Sequence, residues 1–328
     1  MFKHRSLEIN ITKLITLIIF FIIVSTSNAT FANSQNSAKT LKHPTIALAL
    51  GGGGIKGAAH IGVLKVLEQN GIKINYIAGC SMGSIIGGLY CAGVPLDKIE
   101  DILIQKQIQK NYAPGFVTPR IIISPITHIK LPGHRRKYAG IYDSKKFEEF
   151  LNSIIPESKR QLESLDIPFC AVATNLVDGQ AYKIAAGSLA RSIVASSALP
   201  PVVQPVEIND CLYVDGAIRS NVPTVSAKQF NPDILIAVCV DDSLKPVSRN
   251  EFKSVKNIAT RIRDIMILVN DERHLQNADI TISPKVDKIP VLSKNGSDVE
   301  LAIKAGENET QKMLPDILQL INKYKNKK

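Results

Sequence analysis

Apolar positions along the chain form two kinds of run, short continuous stretches and longer stretches with helical spacing. Continuous apolar runs such as TIALAL (45–50) and DILIAV (233–238) are typical of strands buried on both faces of a sheet. The stretches between such runs repeat apolar residues every three or four positions, which predicts helices. Because strands alternate with helices, the pattern predicts one α/β domain with a mainly parallel central sheet.

Several details of this pattern are specific enough to be tested. Asn209-Asp210 lies between two short apolar runs, which predicts a hairpin turn. The apolar spacing over 96–108 predicts one continuous helix. Two long helical patterns follow at about 251–274 and 298–323, so the chain after about residue 245 is expected to be mostly helical.

The N-terminal segment predicts export. A basic start is followed by the eleven-residue apolar run Leu14–Val24 and then by small residues before Ala29 and Ala32. This order matches the three regions of a secretory signal, and the run is short for a membrane span, which needs about 20 apolar residues. We therefore expect a signal peptide at 1–32, a polar linker at 33–43 and a periplasmic or secreted domain at 44–328. The alternative is an uncleaved membrane anchor.

Charge and composition point to a lipid surface as partner. The chain carries a formal net charge of +11, and His128, Lys130 and the segment 134–137 form a basic cluster. Such charge favours anionic partners, and export favours lipid headgroups, so peripheral membrane contact through residues 128–137 is expected. No basic motif is interleaved with aromatic residues, so no nucleic-acid partner is expected. The alternative for the charge is a solvated lysine-rich surface.

The cysteines do not predict a metal site. None of the five shows metal-ligand spacing, and all lie in apolar contexts, so mostly buried thiols are expected and no metal or cofactor is assigned. They are Cys80, Cys91, Cys170, Cys211 and Cys239.

A glycine turn follows the first predicted strand. Gly52, Gly54 and Gly57 satisfy the G-x-G-x-x-G pattern of dinucleotide-binding turns. That pattern also requires an acidic residue at the end of the second strand, and the second strand here, INYIAG (74–79), ends without one. A glycine turn can instead direct consecutive backbone N–H groups at a developing oxyanion. Lys56 would then either assist with anionic charge or be a surface cation.

A candidate nucleophile follows the second predicted strand. Gly79-Cys80-Ser81-Met82-Gly83 fits G-x-S-x-G and opens a predicted helix. In that context a tight strand-to-helix turn exposes the serine hydroxyl, and the flanking glycines Gly79 and Gly83 let the backbone pass closely.

The base that would assist Ser81 is less clear from the residues alone. His60 lies within an apolar helix and is expected to be packed, and His274 follows charged residues on what we expect to be a solvated helix face. Asp215 lies just after a short apolar strand and before Gly216, where a carboxylate could reach a neighbouring turn. The alternative for Asp215 is a local turn at the exit of the hairpin.

Three blocks, GGGGIKG, GCSMG and DGA, occur in the order typical of the patatin-like phospholipase family, and the chain resembles its bacterial members from about 44 to 223. The resemblance implies a three-layer α/β sandwich and metal-free hydrolysis of lipid acyl esters, of phospholipase A or lysophospholipase type, through an acyl-serine intermediate. It also implies a role for each block, with Ser81 as nucleophile and Asp215 as base. The implied oxyanion hole is Gly52, Gly53 and Gly54, supported by Lys56, Gly57, Gly79, Gly83 and Gly216.

Two alternatives remain from the sequence. The order Ser81, Asp215, His274 is also that of a Ser-His-Asp esterase of the α/β-hydrolase type, although the glycine turn then lies too close to the serine. The second alternative is a non-catalytic membrane-binding module that keeps the glycine turns for structural reasons.

Overall fold

A computed structural model of the chain describes residues 43–113, 138–241 and 244–327. The expected signal peptide (1–32), the linker up to residue 42 and the basic segment 128–137 lie outside these ranges. The described residues between 43 and 327 belong to one compact unit.

A sheet forms the centre of this unit, in the order β5-β6-β3-β2-β1-β7-β8, with β4 paired to β3. The strands are β1 Ile46–Leu50, β2 Tyr76–Cys80, β3 Phe169–Asn175, β4 Ala181–Ile184, β5 Val206–Ile208, β6 Cys211–Asp215, β7 Ile234–Val238 and β8 Ile280–Ile282. The run β3-β2-β1-β7-β8 is parallel, whereas β4, β5 and β6 pair antiparallel at one end. The predicted mainly parallel sheet is confirmed, with an antiparallel extension.

Both faces of the sheet are buried, which explains the continuous apolar runs. Ile46, Leu48 and Leu50 of β1 belong to the larger apolar cluster on one face. Ala47 and Ala49 of the same strand belong to a second cluster on the other face. Since successive side chains of a strand point to opposite faces, helices on both sides must cover a strand of this kind. The three-layer sandwich is therefore confirmed.

The helices follow the predicted pattern with one exception. They are α1 Ala59–Gln69, α2 Met82–Cys91, α3 Leu96–Ile104, α4 Gln107–Tyr112, α5 Lys145–Ile154, α6 Leu189–Ser196, α7 Ala217–Ser220, α8 Thr224–Lys228, α9 Val255–Leu275 and α10 Gly296–Lys327. The single helix predicted over 96–108 is wrong, because the chain breaks at Lys106, which adopts a left-handed conformation with φ 60°. The break turns α4 so that Ile108 is buried.

The C-terminal helix α10 packs against α1, the helix that follows the glycine turn. At their crossing the backbones approach so closely that a Cβ at Gly62 would lie 2.1 Å from the Ile303 carbonyl oxygen, and one at Gly306 would lie 2.0 Å from that of Ala59. Glycine at both positions permits this contact. Among the helices of the described ranges, none has the length and apolarity that a membrane crossing requires.

Other local predictions are also confirmed. The Asn209-Asp210 turn has positive φ at both residues, which is the geometry of a tight hairpin turn. The five cysteines are thiols, four of them buried and Cys211 partly exposed.

Candidate active site

Ser81 occupies a strained turn between β2 and α2. Its φ of 50° and ψ of −119° are unusual for a residue with a side chain, and surrounding contacts hold them. The Ser81 N–H donates to the Ser196 hydroxyl at 3.1 Å, and that hydroxyl donates to the Val172 carbonyl at 2.6 Å. The turn therefore presents the Ser81 side chain at the carboxyl edge of the sheet, ahead of the positive N-terminus of α2.

The glycines around Ser81 allow close backbone approach. A Cβ at Gly79 would lie 2.6 Å from the Gly83 carbonyl oxygen, and one at Gly83 would lie 2.2 Å from that of Leu50. Gly57 and Gly216 are equally constrained, because a Cβ there would lie 2.6 Å from Met82 Cγ and 2.2 Å from the Val172 carbonyl oxygen, respectively. Larger residues at these positions would displace the turn that carries Ser81.

Asp215, at the end of β6, is the hydrogen-bond partner of Ser81. The Ser81 hydroxyl donates to Asp215 Oδ2 at 2.7 Å, and the Ala217 N–H donates to Oδ1 at 2.9 Å. The side chain is 3% exposed. Burial raises the pKa of Asp215 to about 6, against the opposing effect of these hydrogen bonds. A carboxylate with this pKa is a stronger base than an ordinary aspartate and is still ionised at neutral pH.

The glycine turn lies beside this pair. Gly53 and Gly54 have φ of 144° and 58° and line the same cavity as Ser81 and Asp215. Within the described ranges their N–H groups have no protein acceptor, so they can donate to a substrate oxyanion.

Gly52 was also expected to donate to the oxyanion, but its N–H already donates to the Asn221 carbonyl at 3.2 Å. Gly52 is needed for another reason, since a Cβ there would lie 2.5 Å from Asn221 Oδ1 and 3.2 Å from Ser81 Cβ.

A cavity of about 840 Å³ opens over Ser81 and Asp215. Its walls are largely aliphatic, which suits an apolar ligand. The aliphatic residues are Ile55, Ile85, Ile108, Leu199, Val202, Leu244, Val247, Ile267, Leu268, Val291 and Leu292. Exposed Lys106, Lys110 and Lys294 also line it, so cations lie beside an apolar interior.

Lys56 is buried, so of the two alternatives for this residue the surface cation is wrong. It is 5% exposed and lines the cavity. Its charge lowers the pKa of the nearby Asp241 carboxyl against the larger effect of burial, which identifies Asp241 as an electrostatic partner. The protein thus keeps a lysine charge close to the glycine turn.

Neither His60 nor His274 contacts Ser81. His60 is fully buried and its Nε2 lies 2.7 Å from the Gly51 carbonyl oxygen, with its pKa lowered to about 4 by burial. His274 is half-buried rather than solvated, so that expectation is wrong. Its Nδ1 lies 3.4 Å from the Ser220 hydroxyl, and burial lowers its pKa. The hydroxyl proton of Ser81 is directed at a carboxylate and not at an imidazole.

A polar cluster that the local sequence does not indicate lies beside the glycine turn. The side-chain amide of Asn221 donates to Asp241 and, at 2.9 Å, to Asp271. Burial and repulsion from Asp271 raise the pKa of Asp241 to about 7. Burial also raises the pKa of Asp271 above its ordinary value. The residues are 20 and 50 positions from Asn221, so no local spacing could have indicated the cluster.

Cys239 lies close to the two carboxyl groups of this cluster. In the described part of the chain its sulfur and one oxygen each of Asp241 and Asp271 lie within 4.8 Å of one another, which is close enough for the three to ligate a metal ion. The Asn221 amide, however, donates N–H groups to both carboxylates. Because the Asn221 amide donates to an oxygen of each carboxyl group, the short distance between Asp241 and Asp271 is explained without a bound cation.

Comparison with known proteins identifies the family. Residues 48–228 match the sequence profile described as Patatin-like phospholipase. The chain belongs to the patatin-like phospholipase family. The matched range contains the glycine turn, Ser81 and Asp215.

Three curated relatives match about three fifths of the chain. An uncharacterized NTE family protein of Mycobacterium tuberculosis is 35% identical over 200 residues, which cover 61% of this chain and 50% of the relative. Patatin-like phospholipase domain-containing protein 6 of Homo sapiens is 29% identical over 207 residues, covering 62% of this chain and 14% of the relative. Lysophospholipase NTE1 of Cryptococcus neoformans is 33% identical over 212 residues, covering 63% of this chain and 12% of the relative. The chain thus matches half or less of the length of these relatives.

Among solved structures, VipD from Legionella pneumophila gives a TM-score of 0.45 at 15% identity, covering 86% of this chain and 67% of that one.

Proposed function

We propose that this protein is a metal-independent lipid acyl hydrolase of phospholipase A or lysophospholipase type, with Ser81 as nucleophile and Asp215 as base. The observation that carries the proposal is the 2.7 Å hydrogen bond from the Ser81 hydroxyl to the buried Asp215 carboxylate. It is further supported by family membership and by a named lysophospholipase among the relatives.

In the acylation step, Ser81 Oγ attacks the ester carbonyl carbon while its proton passes to Asp215 Oδ2. The N–H groups of Gly53 and Gly54 stabilise the resulting oxyanion. When the carbon–oxygen bond to the alcohol breaks, the proton moves from Asp215 to the leaving oxygen. The products of this step are the free alcohol and an acyl-serine.

In the deacylation step, Asp215 takes a proton from a water molecule that attacks the acyl-serine carbonyl. The same N–H groups stabilise the second oxyanion. Collapse of this intermediate returns the proton to Ser81 Oγ and releases the fatty acid. The raised pKa of Asp215, about 6, favours both proton transfers, since a base works best with a pKa near the working pH.

The cavity supports a lipid substrate. Its aliphatic walls suit an acyl chain, and Lys106, Lys110 and Lys294 could contact a phosphate group at the entrance. Residues of α9 and of the segment before α10 contribute to the lining, so chain outside the family match also shapes the substrate space.

The test compares the full-length protein with Ser81→Ala, Asp215→Asn and His274→Ala, in the presence of a chelator. Each is assayed on a soluble short-chain ester and on phosphatidylcholine vesicles. We expect Ser81→Ala and Asp215→Asn to lose at least about a thousandfold in kcat, and His274→Ala to remain within about threefold of the parent.

Other outcomes would select the alternatives. A folded His274→Ala protein that is inactive would favour the Ser-His-Asp esterase, although the 3.4 Å contact of His274 with Ser220 does not favour that triad. Loss of activity in chelator that is restored by a metal would remove the metal-independent mechanism. A parent protein that binds vesicles but neither hydrolyses an ester nor reacts with a serine-directed phosphonate would favour the non-catalytic module.

We also propose export, on the N-terminal pattern of a basic start, the apolar run Leu14–Val24 and small residues. The site of action would be periplasmic or extracellular, and the basic segment 128–137 would add membrane contact there. Fractionation with N-terminal sequencing tests this proposal. Recovery of the unprocessed chain in the cytosolic fraction would contradict it.

A further inference from the structure

Helix α9 (Val255–Leu275) leaves an apolar stripe exposed along its outer side. Its six members are between 41% and 84% exposed. They are Val255, Ile258, Ile262, Ile265, Met266 and Val269. They recur every three or four positions, with Ile265 and Met266 adjacent, which places them on one face, within an arc of about 100° and over a length of about 21 Å. Scattered single apolar residues are normal on a surface, but a continuous stripe of this kind indicates an interaction site.

The opposite side of α9 forms part of the candidate active site. Ile267 and Leu268 on that side line the cavity over Ser81, and Arg261 and Arg263, which flank the stripe, reach the same cavity. The same helix therefore contributes apolar side chains to the substrate cavity on one side and to the surface on the other. A partner that contacts the stripe would lie close to the cavity.

The charge around the stripe favours an anionic partner. Between residues 249 and 269 the sequence has five basic residues and two acidic residues, Glu251 and Asp264. Asp264 pairs with Arg263 at 2.6 Å, so the region keeps a positive excess. On a helical projection Arg261 and Arg263 lie on the two sides of the stripe, and Arg249 and Lys253 precede it. An apolar face bordered by arginine and lysine is typical of helices that lie in the plane of a membrane interface.

We propose that the α9 stripe is a membrane-docking surface that enters the interface of an anionic lipid bilayer and brings the active-site cavity to its acyl-lipid substrate. The choice of a bilayer as partner rests on the proposed lipid hydrolase function. Apolar side chains of the stripe penetrate the interface while the adjacent basic residues contact anionic headgroups. The stripe shares no residue with the basic segment 128–137.

The absence of tryptophan from the chain provides a specific test. A single Met266→Trp substitution places the only tryptophan on the stripe, and Leu301→Trp places it on the outer side of α10, at another exposed apolar position. Both are made in the full-length protein carrying Ser81→Ala, so that the vesicles are not hydrolysed. Emission is recorded with phosphatidylcholine vesicles containing about 30% phosphatidylglycerol, with and without brominated acyl chains.

We expect the Met266→Trp emission to shift to shorter wavelength and to be quenched about twofold or more by brominated lipid, and the Leu301→Trp emission to do neither. Adding Lys253→Gln or Arg261→Gln should weaken vesicle binding roughly fivefold per charge. The Leu301→Trp control separates stripe insertion from any membrane binding through the N-terminal segment, which both proteins share.

Three results would overturn the proposal. The first is an unchanged Met266→Trp spectrum with vesicles, and the second is an equal change in both proteins. The third is a shift of the Met266→Trp emission that occurs without vesicles and grows with protein concentration. A second copy of the chain would then cover the stripe. Hydrolysis of a soluble ester by the same Trp variants with Ser81 intact, and circular dichroism for folding, separate a failure of docking from a failure of the proposed function.

Discussion

The carbonyl oxygen of Asn221 accepts a hydrogen bond of 3.2 Å from the backbone N–H of Gly52. The side-chain amide of the same residue donates to Asp241 and Asp271. Asn221 thus connects the glycine turn beside Ser81 with the chain after β7 and with α9. The position of the turn depends on Asn221, which also lines the cavity, and this makes Asn221 a positioning residue in the proposed mechanism.

Replacing Asn221 should destabilise the protein through this cluster. Asn221→Ala removes the amide donor from two carboxyl groups, so we expect the free energy of unfolding to fall by about 1–3 kcal/mol. Asn221→Asp should cost more, because a third carboxyl group would face Asp241 and Asp271. Urea unfolding at neutral pH measures both. Asn257→Ala is the control, since that exposed amide donates to the Glu251 carbonyl and its loss should change stability by less than about 0.5 kcal/mol. Equal effects of Asn221→Ala and Asn257→Ala would contradict the role of the cluster.

Gly54 and Gly71 both have a positive φ, but only Gly54 is surrounded by other atoms. Replacing each by alanine therefore distinguishes the cost of backbone strain from the effect of displacing the glycine turn. Gly54 and Gly71 have φ of 58° and 65°, but a Cβ at Gly54 would lie 2.2 Å from the Val291 carbonyl oxygen, whereas one at Gly71 would have no atom within 4 Å. Gly71→Ala should therefore cost about 1–2 kcal/mol of stability from strain alone and leave kcat/KM unchanged. Gly54→Ala should displace the turn and lower kcat/KM by about a hundredfold or more, as expected for loss of an oxyanion donor. Parallel urea unfolding and ester hydrolysis distinguish the two, and a Gly54→Ala protein with normal kcat/KM would exclude this turn from catalysis.

The pH dependence of hydrolysis should report the Asp215 carboxyl. Asp215 must be ionised to accept the Ser81 proton, and burial raises its pKa to about 6. Below that pH, kcat/KM on a soluble ester should fall about tenfold per pH unit, and above it the rate should be level. Asp178→Asn, which removes an exposed carboxyl in the β3–β4 turn, should leave the profile unchanged. An acid limb near pH 4 would mean that the pKa of the working base is not raised.

Local patterns predicted most of the fold, because both buried strands and amphipathic helices leave a trace in neighbouring residues. The β5–β6 hairpin at Asn209-Asp210 and the buried strands β1 and β7 are examples. The break at Lys106 could not be predicted in this way. The apolar spacing of 96–108 continues through it, and the turn depends on tertiary burial of Ile108.

The candidate site likewise has features that neighbouring residues predict and features that depend on residues far apart in the sequence. Ser81 and the glycines lie in short motifs whose geometry follows from neighbouring residues, and the family resemblance added Asp215 to them. The hydrogen bond that occupies the Gly52 N–H and the cluster around Asn221 arise from residues up to 169 positions apart, which only the folded chain brings together. The crossing of α1 and α10 at Gly62 and Gly306 is of the same kind.

Asp241 should make stability depend on pH. Burial and the repulsion of Asp271 raise the pKa of Asp241 to about 7, so the folded protein keeps this proton up to that pH, whereas the unfolded chain loses it near the ordinary value of 3.8. Between these values the folded state binds more protons, so this contribution to stability is complete below about pH 4 and is lost as the pH rises towards 7. The slope is at most about 1.4 kcal/mol per pH unit, and smaller because the carboxyl is partly exposed.

Comparison of the parent with Asp241→Asn isolates this contribution. We expect the variant to gain stability relative to the parent as the pH is raised from 5 to about 7.5. His60 has the opposite effect, since its pKa is lowered to about 4 and its contribution is lost as the pH falls from 6.5 to 4. That effect is common to both proteins and cancels in the difference. Urea unfolding of the two proteins across this range gives the result, and a difference that does not vary with pH would show that the folded protein does not retain the Asp241 proton.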